Sequence, residues 1–134
     1  MKLSSKTVTA VKLFVDLAEH QNEGYISLVD VAKRKDVSKK FLEQIVPLYK
    51  SKGLIVGSRG NQGGYALAKA PNKITLEDIA SVSETNYGKN EVGYVPLDNV
   101  LNDVDKALSG YLKQITLDKL VEDAKESYIN NYVI

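Results

Sequence analysis

The sequence contains no cysteine, and this absence removes several classes of function. Disulfide bonds, zinc–thiolate sites and thiol catalysis all need cysteine side chains, so none of them is open to this chain. The sequence also lacks a run of about 18 apolar residues, the length that a transmembrane helix requires. Its opening residues, MKLSSKTVTAVKLF, have neither the apolar stretch nor the cleavage site of a signal peptide, so we expect a cytoplasmic protein.

Histidine is nearly absent as well, which bears on catalysis and on metal binding. The single histidine, His20, lies beside Glu19 at the polar end of the first predicted helix. No nucleophile and no set of metal ligands accompanies it at a recognisable spacing, so we expect it on the exposed surface. We therefore predict that the protein is not an enzyme and that it carries no metal and no cofactor.

The charge is small in total but strongly segregated along the 134 residues, with a net value of +1. Residues 1–74 contain 13 Lys and Arg against 6 Asp and Glu, whereas residues 75–134 contain 5 against 11. Such an asymmetry favours a basic part that faces a polyanion and an acidic part that turns away from it. A dipolar surface without functional consequence is the alternative.

Helical periodicity and caps predict three helices in the first half of the chain. Ser4 or Ser5 can cap the first helix, since apolar residues follow at helical spacing. Ser27 and Ser38 can cap the second and third in the same way. Pro47 is expected to kink or break the third helix. Two short helices joined by the tight turn in VAKRKDVSKKFL have the form of a helix-turn-helix.

The third helix carries polar residues on the face that its apolar stripe leaves exposed. These residues are Lys39, Lys40, Glu43 and Gln44. Lysine can contact phosphates or guanine, and glutamine can bond adenine through two groups, so this face suits the major groove of DNA. The alternative is an ordinary solvated helix face without a partner.

The stretch RGNQGGYALAK is rich in glycine, and the flanking LIVGS and YALA indicate strands, so we expect a hairpin tip. A P-loop is excluded because no Gly-Lys-Ser/Thr sequence opens a helix here. Arg59 suits a narrow minor groove. Gly63 and Gly64 would allow tight backbone geometry, and Tyr65 would anchor the returning strand. Helix, helix-turn-helix and hairpin in this order indicate a winged helix.

The second half of the chain is predicted to contain a long acidic helix. Thr75 can cap a fourth helix, TLEDIASVSE, and TNYGKNEVGYVP has the composition of a loop. Apolar residues then alternate at spacings of three and four, as in a coiled-coil seam. The seam consists of Leu97, Leu101, Val104, Leu108, Tyr111 and Ile115. This helix packs either on its own domain or, as we expect, on a second copy of the chain.

These elements predict a mainly α fold with a small β-hairpin. We assign residues 1–84 to a winged helix-turn-helix DNA-binding domain and residues 85–134 to a loop and dimerisation helices. The last of these helices follows Thr116 and is expected to end before the mixed tail INNYVI.

Four motifs together resemble one known family. They are MKLSSK, ISLVDVAKRKDVSKKFLEQIV, RGNQGGYALAKAPNKITLEDI and ITLDKL, and they extend over nearly the whole chain. The chain resembles the IscR/NsrR/CymR family of bacterial winged-helix transcription regulators, also called the Rrf-two family. The resemblance implies a homodimer that binds a palindromic operator, with repression as the default. The DNA-contacting residues that it implies are Lys6, Ser38, Lys39, Lys40, Glu43, Gln44, Arg59, Gly60, Asn61, Gln62, Gly63, Gly64 and Tyr65.

Two departures from the family pattern are informative. Many members bind an iron–sulfur cluster through three cysteines, and this chain has none, so it resembles the cysteine-free branch typified by CymR and no cluster is expected. Where the family usually has Gly-Arg-Tyr, this chain has Thr7, Val8 and Thr9, so Lys6 is the contact to the DNA backbone that we expect to remain there.

A signal would then have to act without a cluster. Either a small molecule binds in a candidate effector region near Tyr87, Tyr94 and the GKNEVGYVP loop, or a partner protein binds the dimer. A winged-helix module whose main partner is a protein rather than DNA is the alternative for the whole chain. Salt-sensitive binding to duplex DNA would distinguish the two functions, because neutralising phosphates releases counterions.

Overall fold

The computed structural model describes residues 3–58, 63–84 and 91–132, and side chains up to residue 127. The elements within these ranges are α1 (Ser5–Glu19), α2 (Leu28–Lys35), α3 (Lys39–Ser51), β1 (Ile55–Gly57), β2 (Tyr65–Leu67), α4 (Leu76–Ser83), α5 (Val95–Leu112) and α6 (Leu117–Tyr132). Short 3-10 turns lie at Gln21–Glu23 and Pro71–Lys73. The predicted fold class is confirmed. None of the described helices combines the length and the apolar character needed to cross a membrane.

Helix α1 forms the centre of the core. Its residues Ala10, Leu13 and Phe14 are fully buried, and α2, α3, α4 and α6 all contact this helix. The rings of Phe14 and Tyr49 meet edge to face with their centroids 4.8 Å apart. Val8, which the sequence pattern places on the inner face, is 43% exposed. At about 100° per residue it lies on the side of the helix away from Ala10 and Phe14.

The predicted helix starts are confirmed by their capping hydrogen bonds. The hydroxyl groups of Ser4, Ser27 and Ser38 each accept a bond from the backbone N–H three residues later. Thr75 and Asp78 form a reciprocal capping box at the start of α4. Gly53 follows α3 with a φ of 73°, a left-handed conformation that glycine adopts without strain.

The predicted break at Pro47 does not occur, because α3 continues through this residue to Ser51. Proline removes one backbone hydrogen bond from the helix. The residues on either side compensate, since Val46 and Tyr49 are at most 1% exposed and anchor both halves of the helix in the core. Pro47 itself is exposed, so its ring displaces no core side chain.

The wing consists of β1 and β2 in antiparallel pairing, with Ile55 opposite Leu67 and Gly57 opposite Tyr65. A third segment joins it, because Ile26 N donates to Tyr65 O at 2.9 Å and Tyr65 N donates to Ile26 O at 2.8 Å. No pattern in the sequence predicts this contact, because a one-residue bridge has no periodicity. The wing is thereby attached to the segment that leads into α2.

The second half of the chain returns to the winged domain after α5. Leu76 N donates to Ile115 O and Leu117 N donates to Ile74 O, both at 2.8 Å. Leu117 is fully buried in the same core as α1, and α6 packs on α1. The predicted boundary after residue 84 therefore separates two parts of the sequence that share one hydrophobic core. Helix α6 continues to Tyr132, four residues into the segment that was expected to be a tail.

An ion pair between the fully buried Asp16 and the partly exposed Arg34 fixes α2 on α1. Arg34 donates from Nε and Nη2 to the two carboxylate oxygens of Asp16, each at 2.9 Å. Asp16 is fully buried, and its hydrogen bonds raise the pKa of Arg34 above the ordinary value. The neighbouring Lys35 pairs with Glu19 at 2.6 Å, in a position where both side chains are partly exposed.

We expect Arg34→Gln to destabilise the fold strongly, because it leaves the buried Asp16 carboxylate without its counter-charge. The loss should be about 3–5 kcal/mol in the free energy of unfolding, measured by urea titration followed by circular dichroism. Lys35→Gln is the matched control on the same helix, and a pair nearer the surface should cost only about 0–1 kcal/mol. Similar losses for the two variants would contradict the assignment.

Candidate nucleic-acid interface

Helix α3 divides its side chains between the core and one exposed face. Leu42, Ile45, Val46 and Tyr49 are buried. The exposed face carries Lys39, Lys40, Glu43 and Gln44, the residues that the sequence assigns to the major groove. Their spacing of one, three and four positions places them side by side, because residues three and four apart are neighbours on a helix. The structure thus brings these four side chains together on the surface.

The charges on this face partly cancel. Lys39 Nζ lies 3.3 Å from Glu43 Oε1, and the two side chains are 54% and 53% exposed. A pair this exposed contributes little to stability, so Lys39 can exchange the carboxylate for a phosphate at small cost. Glu43 is unsuited to phosphate, but a carboxylate can accept a hydrogen bond from the amino group of cytosine.

Two other predicted contacts lie at the starts of helices. Ser38 is the N-cap of α3, and its hydroxyl oxygen accepts a bond from Phe41 N at 3.2 Å. A hydroxyl in this role still has a proton to donate, and the helix N-terminus favours an anion. Lys6 is half-buried in the first turn of α1.

The base of the wing is attached to the last turn of α3. Lys50 Nζ lies 5.9 Å from the centroid of the Tyr65 ring, which is half-buried. Gly64 packs directly on the main chain of Ile26, and Gly63 is exposed. The sequence did not indicate the role of Lys50, because its partner is fifteen positions away. The predicted wing residues Arg59, Gly60, Asn61 and Gln62 lie outside the described residues.

Some of the basic residues counted in the first half of the chain are committed within the protein. Arg34 is bonded to Asp16 and Lys35 to Glu19, as described above. These two side chains belong to the helix-turn-helix sequence. A count of basic residues does not show that they are paired with carboxylates. The basic surface available to a polyanion is therefore narrower than the count of lysines and arginines indicates.

The predicted seam divides into two sets, and its last residue, Ile115, lies beyond α5, which ends at Leu112. Leu97, Val104 and Tyr111 are 45%, 54% and 62% exposed, whereas Leu101, Leu108 and Ile115 are half-buried within the protomer. The exposed set is extended by Val100, which is 55% exposed, and by the exposed Ala107. We call Leu97, Val100, Val104, Ala107 and Tyr111 the α5 stripe. The residues of the stripe are three and four positions apart, so they also form a heptad pattern. This pattern shares Leu97, Val104 and Tyr111 with the predicted seam.

The candidate effector region is only partly described. Tyr94 is the N-cap residue of α5 and is 64% exposed. Close to it, Val92 N donates to Asp98 Oδ1 at 2.7 Å, a bond that holds the segment before α5 against the first turn of the helix. Tyr87 lies outside the described residues.

A set of potential metal ligands is present in the described part of the chain, at Asp16, Glu19 and His20, whose ligand atoms lie within 4.8 Å of one another. Each of them already has a partner: Arg34 for Asp16, Lys35 for Glu19, and Glu23 for His20. This donor set does not fit an iron–sulfur cluster, whose ordinary ligands are thiolates.

The comparison with known proteins agrees with this architecture. The sequence model of the Rrf2 family, described as an iron-dependent transcriptional regulator, matches residues 3–123. The protein belongs to the Rrf2 family. It is 31% identical over 132 residues to the HTH-type transcriptional regulator IscR of Pectobacterium carotovorum, a match that covers 92% of this chain and 80% of that protein.

Two solved structures extend the family relationship. The structure of T. potens IscR is 35% identical, with a TM-score of 0.79, and the match covers 95% of this chain and 90% of that one. The structure of CymR, the global cysteine regulator of B. subtilis, is 30% identical, with a TM-score of 0.77, over 91% of this chain and 97% of that one. The protein is thus a DNA-binding transcription regulator, as predicted. Because IscR and CymR are similar to it to nearly the same degree, its place in the CymR-like branch stays a prediction.

The close contact at Gly64 gives a test of the wing. In Gly64→Ala, a Cβ would lie 2.7 Å from the carbonyl oxygen of Ile26, a main-chain atom that cannot move away without loss of the bonds to Tyr65. We expect the free energy of unfolding in urea to fall by about 1–3 kcal/mol.

Gly57→Ala is the matched control in the opposite strand. Its Cβ would approach the Lys50 ammonium at 3.2 Å and the Tyr65 ring at 3.4 Å, and the lysine side chain can move aside. Stability should change little in this variant. If both alanine variants lost the same stability, the contact with Ile26 would not be the reason that residue 64 is glycine.

Proposed function

We propose that this Rrf2-family protein is a repressor that binds a palindromic DNA operator as a homodimer, in the cytoplasm, without an iron–sulfur cluster. The observation that carries the proposal is the exposed polar face of α3. Lys39, Lys40 and Gln44 lie together on a helix whose opposite side is anchored in the core. A rigid helix with one polar face is the element that the major groove of DNA admits.

The roles of these residues follow from their chemistry. Lys40 and Lys39 neutralise phosphates, which gives affinity that depends on salt. Gln44 reads the edge of adenine through two hydrogen bonds. Ser38 and Lys6 contact the sugar–phosphate backbone beside the groove. Arg59, in the wing sequence, contacts the adjacent minor groove in this proposal.

The α5 stripe supports the homodimer. Scattered exposed apolar residues are common, but a continuous apolar stripe of large side chains usually marks an interface. The heptad spacing of the stripe fits a second helix of the same kind, and a twofold arrangement would make the contact self-complementary. Two α3 helices related by that axis would match the two halves of a palindrome.

The absence of a cluster rests on the chemistry of the chain. The family description includes iron dependence, but this chain has no thiolate to offer. The signal would therefore enter either as a small molecule in the candidate effector region near Tyr87 and Tyr94, or as a partner protein that binds the dimer. Either could change operator affinity only by binding the DNA-competent and incompetent forms unequally.

Substitutions on α3 test the DNA-binding face. In Lys40→Ala, affinity for a selected operator and for unrelated duplex DNA should fall together, and the slope of log affinity against log salt should decrease by about one unit. Gln44→Ala should instead relax the preference at one base pair, with a cost of about 1–3 kcal/mol at that position. Fluorescence anisotropy at several salt concentrations measures both effects.

Lys106→Ala, a change at an exposed lysine of α5, is the control and should leave binding and salt dependence unchanged. An iron chelator should also have no effect on operator binding. If Lys40→Ala and Gln44→Ala bound like the parent, the α3 face would not be the DNA-binding surface. If binding to duplex DNA did not depend on salt, the alternative of a protein-interaction module would be favoured.

Val104→Glu tests the dimer. Val104 is 54% exposed in the protomer, so the change should leave the protomer folded but place a charge against its symmetry mate. Analytical ultracentrifugation should show a monomer, and operator affinity should collapse because one half-site is lost. Leu108 is less suitable for this test, because it is half-buried within its own protomer.

Asn102→Glu is the matched control, since Asn102 is exposed on the same helix but away from the α5 stripe. This variant should remain dimeric and bind the operator. A parent protein that is monomeric at micromolar concentration and still binds a palindrome tightly would disprove the dimer proposal.

A further inference from the structure

A chain of buried side-chain hydrogen bonds connects α3, α4 and α1. Tyr49 Oη donates to the carbonyl oxygen of Ile79 at 2.8 Å. Ser83 Oγ lies 3.0 Å from the same oxygen and 2.7 Å from Thr7 Oγ1. Tyr49, Ser83 and Thr7 are each at most 1% exposed, so no bulk water competes for these bonds. Helix α3, the proposed recognition helix, is thereby linked through α4 to the first turn of α1.

This series of hydrogen bonds ends at the carboxylate of Glu84. Thr7 Oγ1 donates to Glu84 Oε2 at 2.9 Å, and the Ser4 hydroxyl donates to the same oxygen at 2.6 Å. The backbone N–H of Ser4 donates to Oε1 at 3.0 Å. These bonds, with that from the Ser4 hydroxyl first, lower the pKa of Glu84. Glu84 is also the last residue of the winged domain before the segment that leads to α5.

The available protons give the chain a direction. Each hydroxyl has one proton, and an ionised carboxylate can only accept. Thr7 therefore donates to Glu84, and it accepts from Ser83 at the shorter of the two Ser83 distances. The carbonyl of Ile79 is then left to Tyr49. Every hydroxyl in this arrangement has a hydrogen-bond partner. Thr7 joins the bonds around Ser83 and Tyr49 to the bonds around Glu84.

Stability alone does not require so many polar groups in this position. Replacing both partners of a buried hydrogen bond by apolar groups of the same shape can be nearly neutral. A fully satisfied buried network instead rigidifies the core and specifies one arrangement of the elements that it joins. The elements joined here are the recognition helix and α4.

Helix α4 is the element through which α5 is attached to the winged domain. At its start, Ile74 and Leu76 are hydrogen-bonded to Leu117 and Ile115, just after α5 ends. At its end, Glu84 precedes the segment from which α5 begins. The two helices also contact each other directly. Because α6, which follows α5, also packs on α1, α4 does not attach α5 alone, but a rotation of α4 would change the orientation of α5 relative to α3.

We propose that Thr7, Ser83 and Glu84 are positioning residues that fix the angle between the recognition helix and the dimerisation helix, and so the separation of the two recognition helices. The inference rests on the proposed dimeric DNA binding. None of the three residues contacts DNA in this proposal. They select which spacing of half-sites the dimer accepts, because the two helices must enter the groove about one helical turn apart.

Thr7→Val tests this proposal, because valine keeps the shape of threonine and removes the hydroxyl. The DNA probes are a palindromic operator selected from random duplexes, the same operator with one base pair added or removed between its halves, and an unrelated duplex. We expect about a ten-fold loss of affinity for the operator, within the range usual for coupling between sites. Affinity for the unrelated duplex should be unchanged, and the preference for the original spacing should weaken.

Two controls separate positioning from folding. Thr7→Ser retains the hydroxyl and should keep the parental affinity and spacing preference. Ser83→Ala should behave like Thr7→Val, whereas Ser81→Ala, which removes an exposed hydroxyl of the same helix, should not. Ser83→Ala also serves as the test if Thr7→Val does not fold.

Several outcomes would overturn the inference. Parental operator affinity and spacing preference in a folded Thr7→Val would show that the network only stabilises the protein. An equal loss on operator and unrelated duplex would show a general loss of DNA binding instead of a changed geometry. A parent protein without preference for any duplex would disprove the proposed function and this inference with it, an outcome that the parent measurement alone reveals.

Discussion

Helix α1 lies at the centre of the protein. Its side chains Ala10, Leu13 and Phe14 are buried because the neighbouring helices together exclude water from them. Fully burying a side chain such as leucine or phenylalanine stabilises a fold by about 1.5–3 kcal/mol relative to leaving it exposed. The helix-turn-helix and α4 pack on α1, and so does α6, which the chain reaches only after α5. The placement of the proposed DNA-binding face on α3 and the attachment of α5, the proposed dimerisation helix, both depend on this one buried surface.

Apolar packing of this kind holds the helices together but leaves their orientation weakly defined. Two buried polar contacts supply the orientation. The bidentate pair of Asp16 and Arg34 fixes α2, and the chain that runs through Thr7 and Ser83 fixes α4. Hydrogen bonds have a preferred distance and angle, whereas apolar contacts are tolerant of both. Among the described residues, these polar contacts therefore lie where a rotation of α2 or α4 would move α3, the proposed recognition helix.

The candidate functional surfaces are the helix faces that this packing leaves exposed. One side of helix α3 is buried in the core, so Lys40 and Gln44 face outward together. Helix α5 buries Leu112, whereas Val104 and Tyr111 lie about 80–100° around the helix from it and remain exposed. A polar face suited to DNA and an apolar stripe suited to a second copy arise from the same rule, that each amphipathic helix buries one side only.

The sequence by itself determined the elements and their order. Caps such as Ser38 and the box of Thr75 and Asp78 act within one turn of helix, so they can be recognised from neighbouring residues. The glycines of the wing, the segregation of charge and the lack of cysteine are likewise properties of the chain alone. The fold class followed from these local features, and the family followed from the resemblance of four sequence motifs to known regulators.

Only the tertiary structure decided which residues meet across the chain. The partner of Arg34 is 18 positions away and that of Thr7 is 76 positions away, and no periodicity connects such pairs. The continuation of α3 through Pro47 was decided in the same way, because the burial of Val46 and Tyr49 against residues far away in sequence, such as Phe14, outweighs a local helix breaker. Which side of α5 is exposed also depends on where the chain returns to pair with Ile74. Periodicity reports that a helix has an apolar side, whereas its rotation against the core is set by contacts between residues far apart in sequence.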